Sequence, residues 1–160
     1  MKKIVSLLSA ALVTTAFGAT AYASSPDVYV VNFRNNADVQ SQRLDSALAS
    51  AVPMAGVNAQ EVVIDTSNAA KWEKGAYDAF DYDIVPIFNK WVGLPGFAAV
   101  VDARTKRVIG CVNPSFAPQE IAKELRKMTA QAKGQAYMST ASVGGKTTRC
   151  PAPHNEMPTG

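Results

Sequence analysis

Two short β-rich runs, residues 28–33 and 62–64, are separated by a stretch in which Leu44, Leu48, Ala51 and Val52 recur at helical spacing. This feature constrains the fold most. Strands joined through a helix lie parallel, and the crossover is right-handed. Asn35 and Asn36 supply the turn, Asp38 is a helix-capping residue, and Pro53 and Gly56 end the helix. Thr66, Ser67 and Asn68 are cap candidates for the next helical segment. That segment, residues 69–91, reads as helical but interrupted at Pro86. Trp72, Ala76, Ala79 and Phe80 share one face of it, and Ile84, Ile87, Phe88 and Trp91 form a second apolar stripe.

Residues 97–101 and 107–110 are two further strands joined by a tight turn, hence antiparallel. Pro118 suits a first helical position, and Ile121, Leu125 and Met128 mark the last helix, ending near Ala132. The expected fold class is α/β, with the order β-α-β-α-β-β-α, a four-stranded mixed sheet and helices on both faces. Residues from Gly134 onward are rich in Gly, Ser, Thr and Pro without periodicity, so an extended or disordered tail is expected over 134–160.

The N-terminus carries Lys2 and Lys3, then an uncharged apolar stretch, then Ala21-Tyr22-Ala23. This reads as a signal peptide over 1–23, cleaved after Ala23, with a domain over 24–133. The apolar run is shorter than the ~20 residues a spanning helix needs, so no stable membrane insertion is expected after cleavage. The short Lys-initiated leader makes the periplasm the expected compartment. The chain's net charge is +3, and removing the two leader lysines leaves about +1. So weak a charge points away from nucleic acid as a partner.

Cys111 and Cys150 are the two cysteines. An even count in an oxidising compartment favours a disulfide. The helix between them carries the chain about 22 Å away, and the extended tail returns about 50 Å, so the bond is reachable. The spacing excludes a CxxC motif and a zinc site built on cysteine pairs.

The stretch Asn89-Lys90-Trp91-Val92-Gly93-Leu94-Pro95-Gly96-Phe97-Ala98-Ala99-Val100-Val101-Asp102 resembles the part of the thioredoxin-fold superfamily in which an aromatic-ended helix leads through a proline into an apolar strand. Lys106-Arg107-Val108-Ile109-Gly110 is similar to that family's last strand. The resemblance spans about residues 28–133 and implies a thioredoxin-like fold, with Pro95 as a cis-proline whose neighbour Leu94 pairs with an extended peptide. It departs from the family where the chemistry lies. Asp38-Val39-Gln40-Ser41 stands where the CxxC pair would be, so neither sulfur is present. A low-pKa thiolate at a helix N-terminus drives dithiol exchange, and a carboxylate and a hydroxyl do not replace it. Asp38 and Ser41 read first as helix cap and first turn.

Weaker patterns carry no site. Cys150, His154 and Met157 follow the order of a blue-copper ligand loop, but such a site needs two histidines and His154 is the only one. Adventitious Cu(I) binding there would need Cys150 reduced. Gly144-Gly145-Lys146-Thr147 lacks the first glycine of a phosphate loop. Asp78, Asp81 and Asp83 lack the glycine turn and further oxygens of a calcium loop. No metal and no cofactor is expected. Trp72 and Trp91 read as core residues, with a second use as anchors lining a partner groove.

Two functions follow. The first is a non-redox periplasmic thioredoxin-like binding or assembly module, an accessory of an envelope secretion or conjugation system. Its partner-binding candidates are Leu94, Pro95, Gly96, Asp38 and Ser41, and its partner is another envelope protein or an extended peptide. The secretion or conjugation role rests on similarity to small exported thioredoxin-like proteins of conjugative elements. The second is a thiol-disulfide oxidoreductase or redox sensor that cycles Cys111 and Cys150.

Overall fold

β1 (Val28–Arg34) is apolar on both sides and sits inside the sheet. Val28 and Val30 face one core, and Tyr29, Val31 and Phe33 face the other. That two-sided burial is what a central strand covered by helices on both faces requires. A computed structural model describes residues 25–135 and 146–153. The expected leader, His154, Met157, Gly144 and Gly145 lie outside the described residues.

The elements run β1, α1 (Val39–Ala55), β2 (Ala59–Asp65), α2 (Ala69–Asp81), α3 (Val85–Trp91), β3 (Phe97–Asp102), β4 (Val108–Val112) and α4 (Pro118–Ala132). The sheet order is β2-β1-β3-β4. β1 and β2 are parallel, with Val28 opposite Ala59 and Arg34 opposite Asp65. β3 is antiparallel to β1, with Phe33 opposite Phe97, and antiparallel to β4, with Ala99 opposite Cys111. The expected α/β class and four-stranded mixed sheet are both present.

α1 and α4 cover one face. Leu44, Leu48, Ile121, Leu125 and Met128 pack there on Val28, Val30, Ala98, Val100 and Val112. α2 and α3 cover the other, where Ala79, Ile84, Ile87, Phe88 and Trp91 pack on Tyr29, Val31, Phe33, Val62 and Ile64. Gly56, in left-handed conformation, ends α1 with its N–H on the Pro53 carbonyl. The break between α2 and α3 falls at Tyr82–Ile84, and Pro86 lies in the first turn of α3, where its missing N–H costs no helix bond.

Two expectations are corrected here. The peptide bond before Pro95 is trans, since no described peptide bond is cis. The corner is turned instead by Gly93 (φ 89°) and Gly96 (φ 90°), a conformation open mainly to glycine. The second correction concerns α2. Trp72 is 47% exposed and Phe80 76% exposed, so neither belongs to the core, while Trp91 is buried. α2 seats itself through its small residues. A Cβ on Gly75 would already lie 3.5 Å from the Ile64 side chain, and Ala79 is fully buried. An approach that close leaves the large residues beside them outside.

Candidate functional site

β1 ends at Arg34, and the chain turns through Asn35–Ala37 into α1. Asp38 is the N-cap, in extended conformation. Its carboxylate accepts from the Ser41 N–H and from the Ser41 hydroxyl, both at 2.8 Å. The Ser41 hydroxyl in turn accepts from the Asn35 N–H at 3.1 Å. Ser41 is fully buried, so its hydroxyl locks the loop to the helix. The Ser41 hydroxyl bond holds the Asp38 carboxyl below the usual carboxylate range; burial opposes this, and the N–H groups of Ser41 and Gln40 reinforce it.

The Pro95 corner lies directly against this cap. The Gly96 N–H donates to the Phe33 carbonyl at 2.9 Å. A Cβ on Gly96 would stand 3.1 Å from Asp38 Oδ2 and 3.2 Å from Gln40 Cβ, a tight contact, and its φ of 90° further favours glycine. The Leu94 N–H donates to the Trp91 carbonyl at 2.9 Å, so this donor is used within the corner. The fold therefore brings Asp38, Ser41 and Gly96 together, with Leu94 and Pro95 beside them. Asp38, Leu94 and Gly96 are partly exposed and Pro95 is exposed.

Asp38→Ala should lower stability by about 1 kcal/mol, as loss of a helix cap does, measured as a shift in the denaturant midpoint. Because the folded-state carboxyl titrates below its unfolded value, its contribution is complete above the unfolded pKa. It is lost as pH falls through the lower folded value. Asp38→Asn keeps an acceptor and should remove that part of the acid dependence.

One feature beside the corner was not singled out in the sequence. Asn32 is 1% exposed in the middle of β1. Its amide donates to Asp45 Oδ1 at 2.9 Å and Glu61 Oε1 at 3.2 Å. Arg34 adds ion pairs to Asp45 at 3.1 Å and Asp65 at 3.7 Å. Lys71 pairs with Asp65 at 3.0 Å. Burial raises the Asp65 pKa, but hydrogen bonds from Ser67 and Lys71 outweigh it and hold the carboxyl low. The signal was available: a polar residue on the α1 side of the otherwise apolar run 28–33, with Asp45 next to Leu44 on the facing helix.

Cys111 and Cys150 are joined by a disulfide across 39 positions. Residues 146–153 form a strap on β4, the sheet's outer strand. The Cys111 N–H donates to the Thr148 carbonyl at 2.8 Å, and the Trp91 indole N–H to the Pro151 carbonyl at 3.0 Å. Lys146 pairs with Glu120 at 2.6 Å. The Lys146 hydrogen bond, with that of the Ala117 N–H, keeps the Glu120 carboxyl below its usual range. Cys111 is 3% exposed and packs in the α2/α3 core. The disulfide lies on β4, separated from β1 by β3, and not at the α1 cap. Among the described residues no group of three or more His, Cys, Asp or Glu is placed to hold a metal ion. Among them also no helix is long and apolar enough to cross a membrane.

No known family model, no curated protein and no solved structure matches this chain.

Proposed function

We propose that the chain is an exported, thioredoxin-like binding or assembly module without redox chemistry, acting in the periplasm as an accessory of an envelope secretion or conjugation system. The thioredoxin-like reading draws support from the strand order β2-β1-β3-β4, with β3 running against its neighbours. The observation that carries the functional reading is the α1 N-terminus. Where that fold places an attacking thiolate, Asp38 and Ser41 are tied to each other and to Asn35. A carboxylate held ionised by a buried hydroxyl is a cap, and it carries no sulfur with which to form a mixed disulfide. The export reading rests on the leader, and the disulfide is compatible with it. The corner formed by Asp38, Leu94, Pro95 and Gly96 is the face offered to a partner there, an envelope protein or an extended peptide.

The competing oxidoreductase reading needs Cys111 and Cys150 to cycle. Thiol-disulfide exchange requires in-line access to a sulfur; Cys111 is buried beneath the strap, so the partly exposed Cys150 is the one route to the bond. Equilibration of the exported protein in thiol buffers of graded potential separates the two readings. The bond of a binding module stays closed until below about −300 mV, and the protein shows no turnover of a small disulfide substrate. Opening near about −200 mV, in the range of catalytic dithiols, would overturn the proposal.

A further inference from the structure

α2 carries on its outer side a pattern that the fold uses only in part, with Ala76 packed against the α2/α3 core and Trp72 against Phe88. Trp72, Ala76 and Phe80, spaced by four, form a row along the helix, and Phe80 is 76% exposed. Next to it runs a second row with the same spacing: Glu73, Tyr77 and Asp81, with Tyr77 64% exposed. Val85, at the start of α3, is 37% exposed. Large aromatics are seldom left this open on a helix whose other side is seated. The helix's lysines are already engaged, Lys71 with Asp65 and Lys74 with Asp78. Glu73 and Asp81 form no ion pair among the described residues, and nearby Asp83 forms none either. The surface is thus an apolar row bordered by an acidic one.

We infer that this face of α2 docks a basic amphipathic helix of another protein, Trp72 and Phe80 entering its apolar stripe and Glu73 and Asp81 meeting flanking Lys or Arg. Charge and geometry select this occupant. The acidic border repels an anionic lipid surface and pairs with cations. The outer face of a helix offers no free backbone donors or acceptors for an extended segment to add to, whereas an amphipathic helix needs only an apolar stripe to dock on. Two anchors eight residues apart span about 12 Å of helix, two of the roughly 6 Å i, i+4 steps that make up the ridge of a facing helix. Trp72 is also held in place, its ring edge-on to Phe88 at 5.8 Å, which lowers the entropy lost on binding.

The inference rests on the binding-module reading but uses a different face from the Pro95 corner. The test is titration of the exported protein with a fluorescently labelled synthetic helical peptide, leucine on one face and lysine on its flanks, at physiological ionic strength. The same peptide scrambled to destroy its apolar face should bind about tenfold or more weakly. Phe80→Ser should weaken the amphipathic peptide about tenfold or more while leaving the melting temperature unchanged, because the ring is exposed. Glu73→Lys with Asp81→Lys should shift preference to a glutamate-flanked version of the peptide. Gln119→Ala, exposed on α4 across the sheet, should leave peptide affinity as it was. Wild-type affinity in Phe80→Ser, or equal binding of the scrambled peptide, would overturn the inference. A protein dimer that Phe80→Ser dissociates would also overturn it, making a second copy the occupant. Redox cycling of the disulfide would sink the module reading without altering this titration.

Discussion

Removing the disulfide with Cys111→Ala and Cys150→Ala together should lower the unfolding free energy by about 3–4 kcal/mol. The bond closes a span of 39 positions, and in the chain-entropy account that magnitude is the freedom regained by the unfolded chain. Replacing both sulfurs leaves no free thiol to pair elsewhere, so the comparison is clean. Guanidinium unfolding of the two proteins measures the difference. The strap's other holds are individually modest: the Cys111 N–H to Thr148, the Trp91 N–H to Pro151, and the Lys146–Glu120 pair on a partly exposed surface. They should not keep residues 146–153 docked once the covalent tie is gone. β4 then becomes an uncovered edge with free backbone groups, which is a template for association. Concentration-dependent aggregation of the double variant is therefore expected alongside the stability loss. A loss below about 1 kcal/mol would mean that the noncovalent contacts hold the strap by themselves.

The elements legible in the sequence were those with one dominant local signal. Val62 and Ile64, with a helical repeat before them, marked a parallel pair, and Asp38 and Gly56 marked the two ends of α1. The disulfide was expected from the even cysteine count and the oxidising compartment that the leader suggests. What could not be read depends on distances between elements. The sequence shows Trp72, Ala76, Ala79 and Phe80 on one side of α2, but only the close seat of Gly75 on Ile64 decides that Ala79 goes in while Trp72 and Phe80 stay out. At the corner, Pro95 offered a cis bond as one way to turn. Gly93 and Gly96 offered another, and the trans peptide with two positive-φ glycines is what the chain adopts. The cap at Asp38 was expected. That Gly96 would pack against it within 3.1 Å, giving the candidate site its shape, was not.

Trp91→Ala should cost about 3–5 kcal/mol, the range for deleting a large buried aromatic. The ring is 2% exposed and packs edge-on to Phe33 and Phe97, with centroids 6.1 and 5.7 Å away. It also joins the folded core to the strap through the Pro151 carbonyl, 3.0 Å from its indole nitrogen. These two roles separate in Trp91→Phe, which keeps much of the ring but has no donor. Pro151 is exposed, so water replaces the lost donor at its carbonyl. The remaining cost, about 1–2 kcal/mol, is then mainly missing volume and a looser strap. Repeating Trp91→Phe in the disulfide-free protein measures the first part, the missing volume, alone. With the strap already detached, the substitution loses only packing, and the two changes together should cost less than their sum by about 0.5–1 kcal/mol. Strict additivity would show that the indole N–H does not hold the strap, leaving the cysteine bond as its one anchor to the α2/α3 core.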